Sequence, residues 1–142
     1  MIFRRGGWAG VGGGPPAGRP VRPGWHYRGM SVTAEAVRSL ALSLPETSEQ
    51  FAWGMPIFRV AGKLFLTLPE DETSMAVRCP ILDRDELVVA EPEKFWIAAH
   101  EANNAWVRVR LAALDDADEL AAIVLDSWRL AAPGRLADGA AE

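Results

Sequence analysis

Apolar residues recur at helical spacing near both ends of the chain's apolar stretch and alternate at strand spacing between them. Val37, Leu40, Ala41 and Leu44 follow an i, i+3, i+4, i+7 pattern, which gives one apolar side to a helix over about 33–44. Ser31 or Thr33 is placed to cap it, and Pro45 ends it, because a hydroxyl accepts from an orphaned first-turn N–H and proline cannot continue the ladder. Residues 46–56 read as a mixed connection ending in Trp53-Gly54-Met55-Pro56, a turn into extended chain. Strands over 57–60 and 63–68 flank Ala61-Gly62, the two-residue spacing of a tight hairpin. After the acidic turn at 69–72 a third strand covers 75–79, and Pro80 stops it.

Asp83, with Glu86 three residues later, is expected to cap a short helix that carries Leu87 and Val88 inward and ends at Glu91-Pro92. Residues 94–99 and 106–111 are strand candidates joined through 101–104. The last helix opens on a capping pair, Asp116 and Glu119, and shows Leu120, Ile123, Val124, Ser127 and Trp128 on one face up to about Ala132. Residues 133–142 are expected to fray. The predicted fold is therefore α+β in two layers. A five-stranded antiparallel sheet carries helices on one face, in the order α-β-β-β-α-β-β-α.

The alternation also sorts the strands by face. Phe58, Val60, Leu64, Leu66, Leu68, Met75, Val77, Val107, Val109 and Leu111 form the inward set, while Arg59, Lys63, Phe65, Arg78, Trp106, Arg108 and Arg110 form the opposite one. Basic groups hold phosphates and aromatic rings stack on bases, so Arg59, Lys63, Arg78, Trp106, Arg108 and Arg110 are the candidate nucleic-acid contacts. The competing reading is an ordinary solvated sheet face.

Charge changes this picture. The 142 residues carry 15 Lys plus Arg against 19 Asp plus Glu, a formal −4. Residues 1–30 hold five arginines and no acid, so the remainder has ten basic residues against nineteen acidic, or −9. An acidic body repels a polyanion at long range. Nine of the thirteen glycines also lie in residues 1–30, a composition with too little to bury for a fold. Three readings of that segment stand: a start placed upstream of a true one at Met30, a basic arm for an anionic partner, or a targeting peptide. The domain itself is expected over 31–132.

Other chemistries find little support. Charged residues interrupt every apolar run, so no span of about 18 apolar residues exists and no membrane partner is expected. Cys79 is the single cysteine and only His26 and His100 are present, so no disulfide, metal site or other cofactor is expected and a reducing cytoplasm is the expected compartment. Cys79 reads as a core residue rather than a nucleophile. His100 beside Glu101 reads as a surface residue rather than an acid/base pair.

Four stretches resemble the MmcQ/YjbR family: Leu44-Pro45-Glu46; Trp53-Gly54-Met55-Pro56 with Phe58-Arg59-Val60, Gly62-Lys63 and Phe65; Trp106-Val107 with Val109 and Leu111; and Ser127-Trp128-Arg129-Leu130. The resemblance implies a CyaY-like fold related to secretion-chaperone-like domains and a DNA-binding role. The sequence departs from that pattern at Trp128, where tyrosine is usual, and at Glu101, where the segment is usually more basic. The expectation is a small DNA-binding protein without catalytic activity. The alternative is a protein-interaction or chaperone-like module that holds a partner, or a second copy of the chain, through the same face or an edge strand.

Overall fold

Thr33 caps the first helix, α1 (Ala34–Leu42), by accepting from the Ala36 N–H at 3.2 Å. The fold is that of a computed structural model, which describes residues 32–69, 71 and 73–136. The expectations for residues 1–31, including a cap at Ser31, for 137–142 and for positions 70 and 72 of the acidic turn lie outside the described residues. Strands β1 (Thr47–Ala52), β2 (Met55–Val60), β3 (Lys63–Thr67) and β4 (Ser74–Arg78) follow α1, then helix α2 (Ile81–Ala90), strands β5 (Phe95–Trp96) and β6 (Trp106–Arg110), and helix α3 (Ala117–Ala131). The sheet has the order β1-β2-β3-β4-β6-β5, antiparallel throughout.

Among the described residues the sheet thus has six strands, not five. The additional one is β1, in the segment expected to be a connection. Trp53-Gly54 turns it into β2 with φ of 54° and 78°, as Ala61-Gly62 turns β2 into β3 with 49° and 87°. Both are two-residue loops with positive φ at both positions, the backbone that matches strand twist. β1 lacks an apolar alternation because it is an edge: Glu49 meets Arg38 of α1 at 3.0 Å, and Phe51 stays 74% exposed.

Three further expectations change. α2 begins at Ile81 behind Pro80 rather than at an Asp83 cap, and Asp83 is buried. The strand expected over 94–99 is two residues long, and a 3-10 turn at Ala99–Glu101 follows. The expected fraying at 133 does not begin there, since 134–136 form a helical turn in which Leu136 packs on the core and Arg135 meets Glu46 at 3.1 Å.

One core joins the layers. Val37 and Ala41 of α1, Leu87 of α2 and Leu120, Ile123, Val124 and Trp128 of α3 pack with Phe58, Val60, Leu66, Met75, Val77, Val107 and Val109 of the sheet. The Trp128 ring is fully buried and donates its Nε1–H to the Pro45 carbonyl at 3.1 Å, which pins α3 to the end of α1. Asp116 caps α3 as expected, accepting from the Glu119 N–H. Beside it the buried Lys94 ammonium meets Glu119 at 2.8 Å, Glu91 at 2.9 Å and Asp115 at 3.4 Å. Burial opposes its charge, but the hydrogen bonds it donates to Glu119 and Glu91 prevail and raise its pKa above the ordinary lysine value.

Face assignment fails at one strand. Arg59 pairs with Leu64 but Phe58 pairs with Leu66, so Phe65 is an extra residue in β3. This bulge turns the fully buried Phe65 into the core, against its expected outward place, and puts Leu64 on the open side. It also opens the β3–β4 ladder, where only Leu66↔Val77 and Thr67↔Ala76 pair. Ser127 of α3 fills the gap: its hydroxyl accepts from the Arg78 N–H at 2.9 Å and donates to the Phe65 carbonyl at 2.5 Å.

Candidate nucleic-acid interface

Paired residues in an antiparallel ladder share a face. Arg78↔Trp106, Ala76↔Arg108 and Ser74↔Arg110 therefore lie together, and Trp96 of β5 joins them opposite Arg108. Arg59 reaches the same side two strands away, opposite Leu64. Lys63 does not. It pairs with Val60, a core residue, and so sits on the helix side of the hairpin tip, where it is exposed. Five of the six sequence candidates thus share the uncovered face.

Their partners differ in kind. Arg59 donates to the Gln50 side-chain oxygen at 2.8 Å and to the Gly62 carbonyl at 3.3 Å. Arg78 donates to the Leu64 carbonyl, freed by the bulge, at 2.6 Å, and its guanidinium lies 5.1 Å from the Trp106 ring centroid. Burial lowers its pKa below the usual arginine value, although a guanidinium stays charged across the physiological range. Arg110 donates to the Glu93 carbonyl at 2.6 Å and stacks 4.7 Å from Trp96. Arg108 is held instead by the Glu101 carboxylate in a two-point pair at 3.0 and 2.8 Å, both side chains largely buried. Among the described residues Arg59, Arg78 and Arg110 thus bond neutral groups and keep their full charge, while Arg108 is neutralised.

Glu101 can reach Arg108 because α2 holds its loop. The Arg84 guanidinium is only 3% exposed and donates to the carbonyls of Asn104 at 2.7 Å, Ala102 at 3.1 Å and Glu101 at 3.2 Å. Sequence reasoning missed Arg84 altogether. These bonds join residues 17 to 20 positions apart, and nothing local marks a helix arginine as a clamp on loop carbonyls.

The clamped loop borders a hollow of about 350 Å³ on this face. Leu64, Thr67 and Ala76 of the central strands line it, together with Trp106 and Arg108 of β6. His100, Glu101 and Asn104 contribute from the loop, and Trp53 and Met55 from the β1–β2 turn. Small side chains at Thr67 and Ala76 make the depression. Trp53, Met55, Leu64, Ala76 and Trp106 form its apolar and aromatic part, and the Glu101 carboxylate and Arg108 guanidinium at its side close on each other.

A family model described as YjbR matches residues 42–130. The chain belongs to the YjbR family. Among solved structures, the YjbR domain is similar to a crystal structure of the Deinococcus radiodurans protein DR2400, which carries a DUF419 domain. That likeness has a TM-score of 0.61 and 21% identity over 70% of this chain and 78% of the other, and it concerns the fold. No curated protein matches.

One sequence mark of the YjbR resemblance, Ser127, and one departure from its pattern, Trp128, have structural reasons. Ser127 bridges the bulged ladder and Trp128 ties α3 to Pro45. Cys79 is fully buried among core residues, and burial raises its thiol pKa, so it is held as a thiol. His100 is exposed, 3.5 Å from the Glu101 carboxylate at the rim. No three His, Cys, Asp or Glu side chains converge among the described residues, and no helix there is long and apolar enough to cross a membrane.

Proposed function

We propose that this YjbR protein binds single-stranded nucleic acid on its uncovered sheet face and catalyses no reaction. The observation that carries the reading is the set of arginines that have no carboxylate partner among the described residues, two of them stacked on tryptophans: Arg78 on Trp106, Arg110 on Trp96, and Arg59 on the same side. Guanidinium groups hold phosphates while aromatic faces accept unstacked bases. An open, side-chain-lined sheet suits a flexible strand better than the groove of a duplex, which takes an inserted helix or ribbon.

Three charged contacts on an acidic body mean modest affinity and a shallow salt response. The logarithm of the affinity for a fluorescent single-stranded oligonucleotide falls with log salt at a slope of about −2, as expected for three released counterions. Arg59→Gln with Arg110→Gln reduces that slope to about −0.7. Absence of binding at low salt refutes the reading.

A second reading has its own support. β1 is an edge strand, and Phe51 and Trp53 at its end are 74% and 68% exposed. Exposed edges accept a further strand from another chain. A concentration-dependent rise in mass by light scattering, lost with Phe51→Lys, supports that reading; a monomer at all concentrations excludes self-pairing.

A further inference from the structure

We propose that the hollow on the open face is a pocket for one nucleobase; this rests on the preceding reading of the face. Size, charge and polarity together define the occupant. The hollow's 350 Å³ lies at the small end of ligand sites, which run from about 300 to 1,000 Å³, so it suits a single compact group rather than a peptide segment. The lining carries no net charge while His100 is neutral, because Glu101 and Arg108 close on each other. An anionic group therefore gains nothing by entering. The arginines with full charge, Arg59, Arg78 and Arg110, do not line it. This arrangement fits a neutral group attached to a phosphate chain that stays outside.

The walls specify a flat group with a polar edge. Trp53, Met55, Leu64 and Trp106 supply apolar and aromatic surface. Asn104 and Thr67 line the same space, and their amide and hydroxyl groups can both donate and accept hydrogen bonds. The Asn104 carbonyl is held by Arg84 at 2.7 Å, which anchors the backbone from which its side chain extends. A base is a planar group with donors and acceptors at its edge, and it is neutral at pH 7.

Fluorescence anisotropy on the full chain compares labelled 12-nucleotide single strands of dT, dC and dA with an abasic strand of the same charge. One stacked base makes at least one of the base-bearing strands bind about 5- to 150-fold tighter than the abasic one. Ala76→Leu, which fills the floor, removes that difference and leaves the salt slope unchanged; Asn104→Ala alters the ranking among dT, dC and dA. Titration with thymidine, cytidine and adenosine 5′-monophosphates, read by tryptophan fluorescence, separates the sources. Saturation by a mononucleotide assigns the pocket to free nucleotides, and a response only to oligomers assigns it to strands. A preference for base-bearing strands that persists in Ala76→Leu overturns the pocket while the face reading stands, and equal affinity for abasic and base-bearing strands overturns the pocket and the stacking part of the face reading alike. If no strand binds but a mononucleotide saturates, the pocket stands and the face reading falls. If nothing binds, both fall.

Discussion

Replacing Ser127 by alanine tests how the bulged sheet is held. The hydroxyl is fully buried and makes two bonds, accepting from the Arg78 N–H and donating to the Phe65 carbonyl. Because the bulge keeps β3 and β4 from pairing beyond Val77, no strand group is in register to replace it. Alanine leaves one buried donor and one buried acceptor unmet, at about 1–3 kcal/mol each. Some direct closure of the gap lowers the sum, so a loss of about 2–4 kcal/mol is expected, a large part of the ~5–15 kcal/mol stability of a small domain. Urea unfolding followed by tryptophan fluorescence measures it, with an unchanged m-value showing that the same surface is exposed. Ser43→Ala is the control. Its hydroxyl also donates to a carbonyl, that of Leu40 at 2.6 Å, but in solvent, so a change below ~0.5 kcal/mol is expected. If Ser127→Ala falls within that same range, the hydroxyl bridge is not what holds the ladder.

Two further predictions concern buried ionisable groups. Lys94→Met leaves the largely buried carboxylates of Glu91 and Glu119 without their ammonium, for a loss of about 3 kcal/mol that Glu119→Gln partly restores in a double-mutant cycle. Since the folded pKa of Lys94 is raised, its contribution is complete below the unfolded lysine value of about 10.4 and declines only as pH rises beyond it. A wild-type-minus-mutant difference in chemical-denaturation stability that already shrinks between pH 7 and 9 contradicts the assignment. Cys79, buried with a raised thiol pKa, should react with a disulfide reagent at pH 8 more than about 100-fold slower in the native protein than in urea, because reaction awaits opening of the core. Comparable rates in the two states contradict its core placement.

Local pattern was enough to place the three long helices, the cap at Asp116, the Ala61-Gly62 hairpin and nearly all of the core, though it left the first cap open between Ser31 and Thr33 and set the start of α2 at Asp83. Each of these is set by residues a few positions apart: a 3.6-residue period, a capping side chain, a two-residue turn. The resemblance to the YjbR family was also legible, since its marks lie in short contiguous stretches. Strand β1 escaped because edge strands need no apolar alternation, although its Trp53-Gly54 turn repeats the Ala61-Gly62 signal. Phe65 and Lys63 were placed on the wrong side because alternation assumes an unbroken pleat, and one inserted residue reverses it.

The character of the candidate face was decided by tertiary structure alone. Sequence put five cations on one face. Folding keeps four there and neutralises Arg108 through a loop that Arg84 holds from another helix. The small Thr67 and Ala76 become the floor of a hollow only when a turn and a loop from opposite ends of the sheet order rise around them. Charge pairing and concavity depend on groups far apart in the chain, so periodicity carries no signal for either.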